Sequence, residues 1–178
     1  MKNITLETTR LQMRPITIAD TNALFRLYGD QKVMVSRKIG TLNRAKSDAE
    51  LELLLNHWHR HGYGIFAVIE KESGQFIGEC GLREIARDKD GIEISYGLFP
   101  SHWGKGYATE AATAMLDYGF LTLALPKIYG IAKATNTSSL KILSRFGMLP
   151  ESEFSDGTAK IVRSMLTRED YLNLQRTS

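Results

Sequence analysis

Gly97-Leu-Phe-Pro-Ser-His-Trp-Gly-Lys-Gly-Tyr-Ala-Thr-Glu-Ala111 joins an apolar strand to a helix through a turn that carries two glycines. Pro100 ends the strand. Gly104 and Gly106 bring bare backbone within reach of a ligand. A helix starting at about Ala108 then offers its unpaired N–H groups and the positive end of its dipole to an anion. A phosphate-bearing ligand is the natural occupant.

Spacing separates three glycine-rich turns. The nucleotide P-loop needs Gly-x-x-x-x-Gly-Lys-Ser/Thr, which this chain lacks. A dinucleotide fingerprint needs Gly-x-Gly-x-x-Gly/Ala with an acidic residue about 20 positions on. Gly104-Lys-Gly106-Tyr-Ala-Thr109 fails at its last position, and 125–130 hold no acid. What remains is the turn used for the pyrophosphate of coenzyme A. Trp103-Gly-Lys-Gly106-Tyr-Ala108-Thr-Glu-Ala111 resembles the acyl-CoA-binding motif of the GNAT acetyltransferases, in the form found in their RimJ/RimL-like branch. Asn136-Thr-Ser-Ser139 followed by Leu140, Leu143 and Phe146-Gly147-Met148 resembles a second block of that branch. The opening Thr9-Arg10-Leu11-x-Met13-Arg14-Pro15 and the turn Gly74-Gln-Phe-Ile-Gly78 also fit, so the resemblance runs along nearly the whole chain. It implies an α/β fold of a single GNAT domain over 1–178, with a mixed, mostly antiparallel central sheet flanked by helices.

Composition agrees with one globular domain. At 178 residues and 20.0 kDa the chain is long enough to bury a continuous core, and its 43% hydrophobic and 24% charged content is ordinary. A net charge of +3 is only mildly basic, and no lysine/arginine run with interleaved aromatics points to nucleic acid. No apolar run reaches the roughly 20 residues that span a bilayer, and no basic-then-apolar leader opens the chain. The lone Cys80 excludes an internal disulfide and suits a reducing compartment, so the cytoplasm is expected. Cys80 lies in an apolar strand pattern and reads as a buried small hydrophobe.

Along the chain, Leu11, Met13 and Pro15 alternate with polar neighbours as a strand. Asp20 is placed to cap a helix carrying Leu24, Leu27 and Tyr28, and Val33 to Asn43 reads as a loop. Ser47-Asp-Ala-Glu50 forms a capping box before Leu51, Leu54, Leu55 and Trp58, and Gly62 and Gly64 stop that helix. His57 and His61 share a face, but without His-Glu-x-x-His they read as cations at a helix C-terminus, and no metal is expected. Strands follow at about 65–70, 76–85 and 92–98, joined by turns at 71–75 and 87–91 into an antiparallel meander. In the third, Ile94, Tyr96 and Leu98 point one way and Glu93, Ser95 and Gly97 the other. A helix over about 108–121 carries Ala111, Ala112, Met115 and Phe120 inward, and Glu110 suits its dipole as a structural residue. Ile128, Ile131 and Ala132 open a strand, and Asn136 or Ser138 caps a short helix closed by Gly147. Ile161-Val-Arg-Ser-Met-Leu166 completes a last hairpin, and Thr167-Arg-Glu-Asp170 caps a final helix.

The resemblance supplies a chemistry: an amine attacks the thioester of acetyl-CoA, the acetyl-donor cosubstrate. It implies that backbone at Leu98 and Phe99 pairs with the pantetheine arm, and that Trp103, Gly104, Lys105, Gly106, Tyr107, Ala108 and Thr109 form the pyrophosphate turn. Asn136 bonds the pantetheine amide. Ser139, or a bound water, gives the departing thiolate its proton. Some relatives use a tyrosine in the following helix, where this chain has Leu143. Glu93 is the favoured base, directly or through water, with Glu79 second. The expected acceptor is a primary amine, first a protein or peptide N-terminus, alternatively a small molecule. The 29–45 and 83–91 loops that shape the acceptor pocket do not decide between them. A non-catalytic acyl-CoA-binding sensor is the reading from another class. Family members often dimerise, so a homodimer is the assembly the resemblance allows.

Overall fold

The computed structural model describes residues 4–37, 40–85 and 88–177. Eight strands form one mixed sheet: β1 (Leu6–Glu7), β2 (Leu11–Pro15), β3 (Ile65–Glu70), β4 (Phe76–Ile85), β5 (Asp88–Leu98), β6 (Lys127–Lys133), β7 (Leu149–Ser155) and β8 (Lys160–Thr167). Their order is β1-β2-β3-β4-β5-β6-β8-β7. Six helices accompany them: α1 (Thr21–Gly29), α2 (Gln31–Met34), α3 (Arg44–His61), α4 (Tyr107–Asp117), α5 (Thr137–Arg145) and α6 (Arg168–Thr177). By contact the chain divides into two compact units, Met1–Arg83 with Ser95–Ala114, and Glu84–Ile94 with Met115–Ser178.

In the first unit β2 pairs antiparallel with β1 and β3, and β3 pairs antiparallel with β4. The alternation expected at 11–15 is present: Leu11 and Met13 are fully buried and Gln12 is exposed. Cys80 is buried on β4, where burial pushes its thiol well above the usual range. Helix α1 buries Leu24, Leu27 and Tyr28 as the pattern requires. Asp20 precedes it, but its carboxylate reaches back instead of forward. It accepts from the Thr17 N–H at 2.8 Å and from Arg14 Nη1 and Nη2 at 2.8 and 2.7 Å.

Three boundaries differ from the sequence reading. Helix α3 starts one turn before Ser47, because the Asn43 side chain accepts from the Lys46 N–H at 3.0 Å and is the cap. Ser47 is buried inside the helix. The stretch read as a loop from Val33 contains the end of α2, made possible by the Asp30 carboxylate accepting from the Lys32 and Val33 N–H groups. Strand β5 begins at Asp88, so most of the 87–91 turn is strand, and residues 86 and 87 lie outside the described residues. Trp58 of α3 donates from Nε1 to the Ile65 carbonyl at 2.7 Å, and His57 bonds the Tyr63 carbonyl at 2.9 Å with its ring 4.5 Å from that of His61. Gly62 ends α3 in the left-handed region.

In the second unit β5 and β6 run parallel, with Glu93 opposite Tyr129 and Ile94 opposite Gly130. β8 is antiparallel to β6 and to β7. The helix expected over 108–121 is α-helical only to Asp117 and continues as a π-helical turn, Tyr118–Thr122. That turn anchors α6. Phe120 stacks on Tyr171 at 4.8 Å, its carbonyl accepts from Arg168 Nε at 2.8 Å, and Tyr171 donates to Asp117 at 2.8 Å. Asp170 at the start of α6 donates its N–H to Thr167 Oγ1 at 3.1 Å, as the capping pattern there requires. Among the described residues no helix is long and apolar enough to cross a membrane.

Candidate active site

The glycine turn lies in the first unit and is built as the sequence suggests. Pro100–His102 form a single 3-10 turn after β5. Trp103 is half exposed, yet its Nε1 donates to the Leu98 carbonyl at 2.8 Å, which folds the turn back on the strand end. Gly104 and Gly106 have φ of +73° and +83°, a region costly for residues with a Cβ. Both glycines and Lys105 are exposed, and a Cβ at Gly104 would meet nothing within 4 Å, so the turn leaves open room beside bare backbone. The Gly106 carbonyl accepts from the Glu110 N–H at 3.0 Å and starts α4. The N–H groups from Gly106 to Thr109 precede the first donor of that ladder, so they suit an anion. The Phe99 N–H donates to the Ile77 carbonyl at 2.9 Å and the Phe99 carbonyl accepts from the His102 N–H at 2.9 Å, so both backbone groups of this residue are engaged within the chain.

β4 and β5 approach closely in this unit. A Cβ at Gly78 would stand 2.2 Å from the Gly97 carbonyl oxygen, which explains why the Gly74-to-Gly78 segment ends in glycine. On Gly97 itself rests the Arg37 guanidinium, whose Nη2 would be 2.5 Å from a Cβ there. Arg37 Nη2 donates to Glu79 Oε1 at 2.6 Å, and Tyr28 donates from its hydroxyl to Glu79 Oε2. Glu79 is 1% exposed, so both oxygens of the second candidate base are engaged inside the core. Burial, then the Glu79 charge, push the Tyr28 phenol well above its usual range, so it stays a donor. Nothing in the sequence spacing pairs residues 28, 37 and 79; an ion pair assembled by tertiary packing leaves no local signature. An open cleft of about 550 Å³ lies nearby in sequence terms, lined by Asp30, Gln31, Lys32, Phe99, Pro100 and Ser101.

The remaining candidates belong to the second unit. The Asn136 Oδ1 accepts from the Ser139 N–H at 3.1 Å and caps α5. Ser139 is half-buried in the first turn of α5. Leu143 is buried against β6, where a Cβ at Gly130 would meet its Cδ2 at 2.5 Å; this side chain is packing. Gly147 follows α5 with φ of +75°. Glu93 is half-buried on β5 opposite Tyr129, over whose ring the Arg163 guanidinium lies at 3.8 Å.

Residues 10–149 match the family model described as the acetyltransferase (GNAT) domain. The chain is 31% identical over 153 residues to the uncharacterized N-acetyltransferase p20 of Bacillus licheniformis, covering 85% of this chain and 86% of that one. It is 31% identical over 131 residues to the spermidine N(1)-acetyltransferase of Vibrio cholerae, covering 70% and 75%. The crystal structure of a GNAT-family acetyltransferase from Bacillus anthracis superposes with a TM-score of 0.80 at 23% identity, over 93% of this chain and 99% of that one. A family model spanning most of the chain, the same mixed sheet and a turn shaped for an anion lead to one conclusion: the protein belongs to the GNAT acetyltransferase family, enzymes that take their acetyl group from acetyl-CoA.

Proposed function

We propose that this acetyltransferase moves the acetyl group from acetyl-CoA to the primary amine of a small molecule. The observation that carries the donor side is the Trp103–Thr109 turn, exposed over Trp103–Gly106, with left-handed Gly104 and Gly106 feeding the first N–H groups of α4. These N–H groups hold the pyrophosphate, and Lys105 adds charge. The Leu98 and Phe99 backbone lies along the pantetheine arm, whose amide the Asn136 carboxamide bonds. Glu93 takes the amine proton, directly or through water, and Ser139 returns a proton to the thiolate. Glu79 is the less accessible of the two carboxylates, because Arg37 and Tyr28 already occupy its oxygens. A small-amine acceptor is supported by the similarity to spermidine N(1)-acetyltransferase.

One observation favours a second reading, in which the acceptor is a protein N-terminus as in the RimJ/RimL-like branch. With the Glu79 oxygens engaged by Arg37 and Tyr28, Glu93 is the one of the two candidate carboxylates left to take a proton. An α-amine with a pKa near 7.7–8.0 costs about 1 kcal/mol to deprotonate at pH 7, and a lysine-like amine about 4–5 kcal/mol. The test is thiol release from acetyl-CoA with spermidine, an amino-acid amide and an alanine-initiated peptide offered in turn. Faster release with the small amines supports the first reading, and preference for the peptide supports the second. Release no faster than hydrolysis with all three would overturn both.

A further inference from the structure

Arg10 stands 95 residues from the glycine turn in sequence and directly on it in space. Its Nη1 donates to the Lys105 carbonyl at 2.9 Å, and its guanidinium lies 4.3 Å over the Tyr107 ring. Its Nε and Nη2 reach Glu110 Oε2 at 2.7 and 2.6 Å, while its own N–H and the Thr8 hydroxyl donate to Glu110 Oε1 at 2.8 and 2.6 Å. Six contacts thus tie the entrance of β2 to the turn and to the first turn of α4.

Two consequences follow from elementary geometry and charge. In a trans peptide the carbonyl and the next N–H point in opposite directions. Arg10 holds the Lys105 carbonyl, so the Gly106 N–H is aimed away from Arg10, on the open side of the turn. The Gly106 carbonyl is fixed as well, by the Glu110 N–H. The second consequence concerns Glu110, which stands in the first turn of α4, where its charge suits the dipole but competes with any anionic ligand. Burial works to raise the Glu110 carboxyl, and the bonds from Thr8 and Arg10 outweigh it and hold the group ionised below the usual range. Its charge is therefore permanent near neutral pH, and Arg10 cancels it.

We infer that Arg10 is a positioning residue for the phosphate half of the donor: it aims the Gly106 N–H and neutralises Glu110, so that the turn accepts a pyrophosphate. The inference rests on the donor reading of the Trp103–Thr109 turn. It is tested by titrating ¹⁵N-labelled wild type and R10Q with CoA and with pantetheine, which lacks the phosphates, following the backbone amides of 104–109. R10Q is expected to bind CoA about tenfold more weakly, the size of one charge-assisted hydrogen bond, while its pantetheine affinity stays within about twofold of wild type. The double variant R10Q/E110Q is expected to regain part of the CoA affinity, since the uncancelled carboxylate is gone. Should R10Q unfold, R10K serves in its place, keeping the cation without the planar fork, with the same selective loss expected at smaller size. Equal weakening toward both ligands would reduce Arg10 to a fold contact and overturn the inference, as would unchanged CoA binding. Wild type that fails to bind CoA would instead bring down the donor reading and this inference with it.

Discussion

The buried side chains of Tyr28, Arg37 and Glu79 make the sharpest statement at the scale of single residues. Inside the core the two oxygens of Glu79 are held by one donor each. Tyr28→Phe should leave one oxygen without its donor and cost about 1–3 kcal/mol in urea unfolding. Arg37→Met should cost more, about 3–5 kcal/mol, since it strands a buried charge. The proposed acid and base make a different kind of prediction. Glu93→Gln and Ser139→Ala should each lower kcat, by on the order of 10²-fold for the base, while calorimetry finds acetyl-CoA affinity unchanged. Undiminished turnover in Ser139→Ala would assign the proton to water. Of these residues the sequence marks Glu93, Asn136 and Ser139, because each stands at a position defined by local pattern, in a strand or at a cap. Arg37 carries no such mark, and Arg10 stands in the opening stretch that fits the resemblance with no role attached to it. Their partners are 42 and 100 residues away, and surface arginine is the default reading of an isolated one.

At the scale of elements, the entry into α1 is acid-labile in a defined direction. Burial tends to raise the Asp20 carboxyl, but the Arg14 guanidinium and the Thr17 N–H hold it below its usual range. A carboxyl whose pKa is lower folded than unfolded stabilises the fold fully above the unfolded value of about 3.9, and that stabilisation is lost as the pH falls through the folded value. Thermal unfolding should therefore weaken below about pH 4 in wild type, with a shallower acid dependence in Asp20→Asn. The close approach of β4 to β5 gives a second test: Gly78→Ala should cost about 1–3 kcal/mol or more, because its Cβ meets backbone that cannot rotate away. Elements with a strong period were legible. α3 was found but begun late, since Asn43 and Ser47 are both good caps one turn apart and only packing chooses between them. α2 is too short to show a period, and the π-helical turn after α4 has no sequence pattern of its own.

At the scale of the whole molecule, the donor should act as a stabiliser. At about 100 times its dissociation constant acetyl-CoA adds about 2.7 kcal/mol, which for a chain of this size raises Tm by roughly 5–10 °C. NAD at the same concentration should leave Tm where it was, and a shift with NAD would contradict the reading of the turn. The mixed sheet was legible because β2 alternates, β3 and β4 are short apolar runs bounded by turns, and the glycine turn has a spacing that few ligands fit. The division into two compact units was not, since no linker, proline-rich stretch or change of composition marks it.

Cys80 gives the experimenter something further. It is the single cysteine of the chain, it is wholly buried on β4, and its thiol is the form least prone to react. A colorimetric disulfide reagent mixed with the folded enzyme therefore reads only the CoA that turnover sets free, with no background from the protein. Left for hours without substrate, the same reagent becomes a clock: each modified molecule records one opening of β4, and the slow rise of colour measures how often the core comes apart.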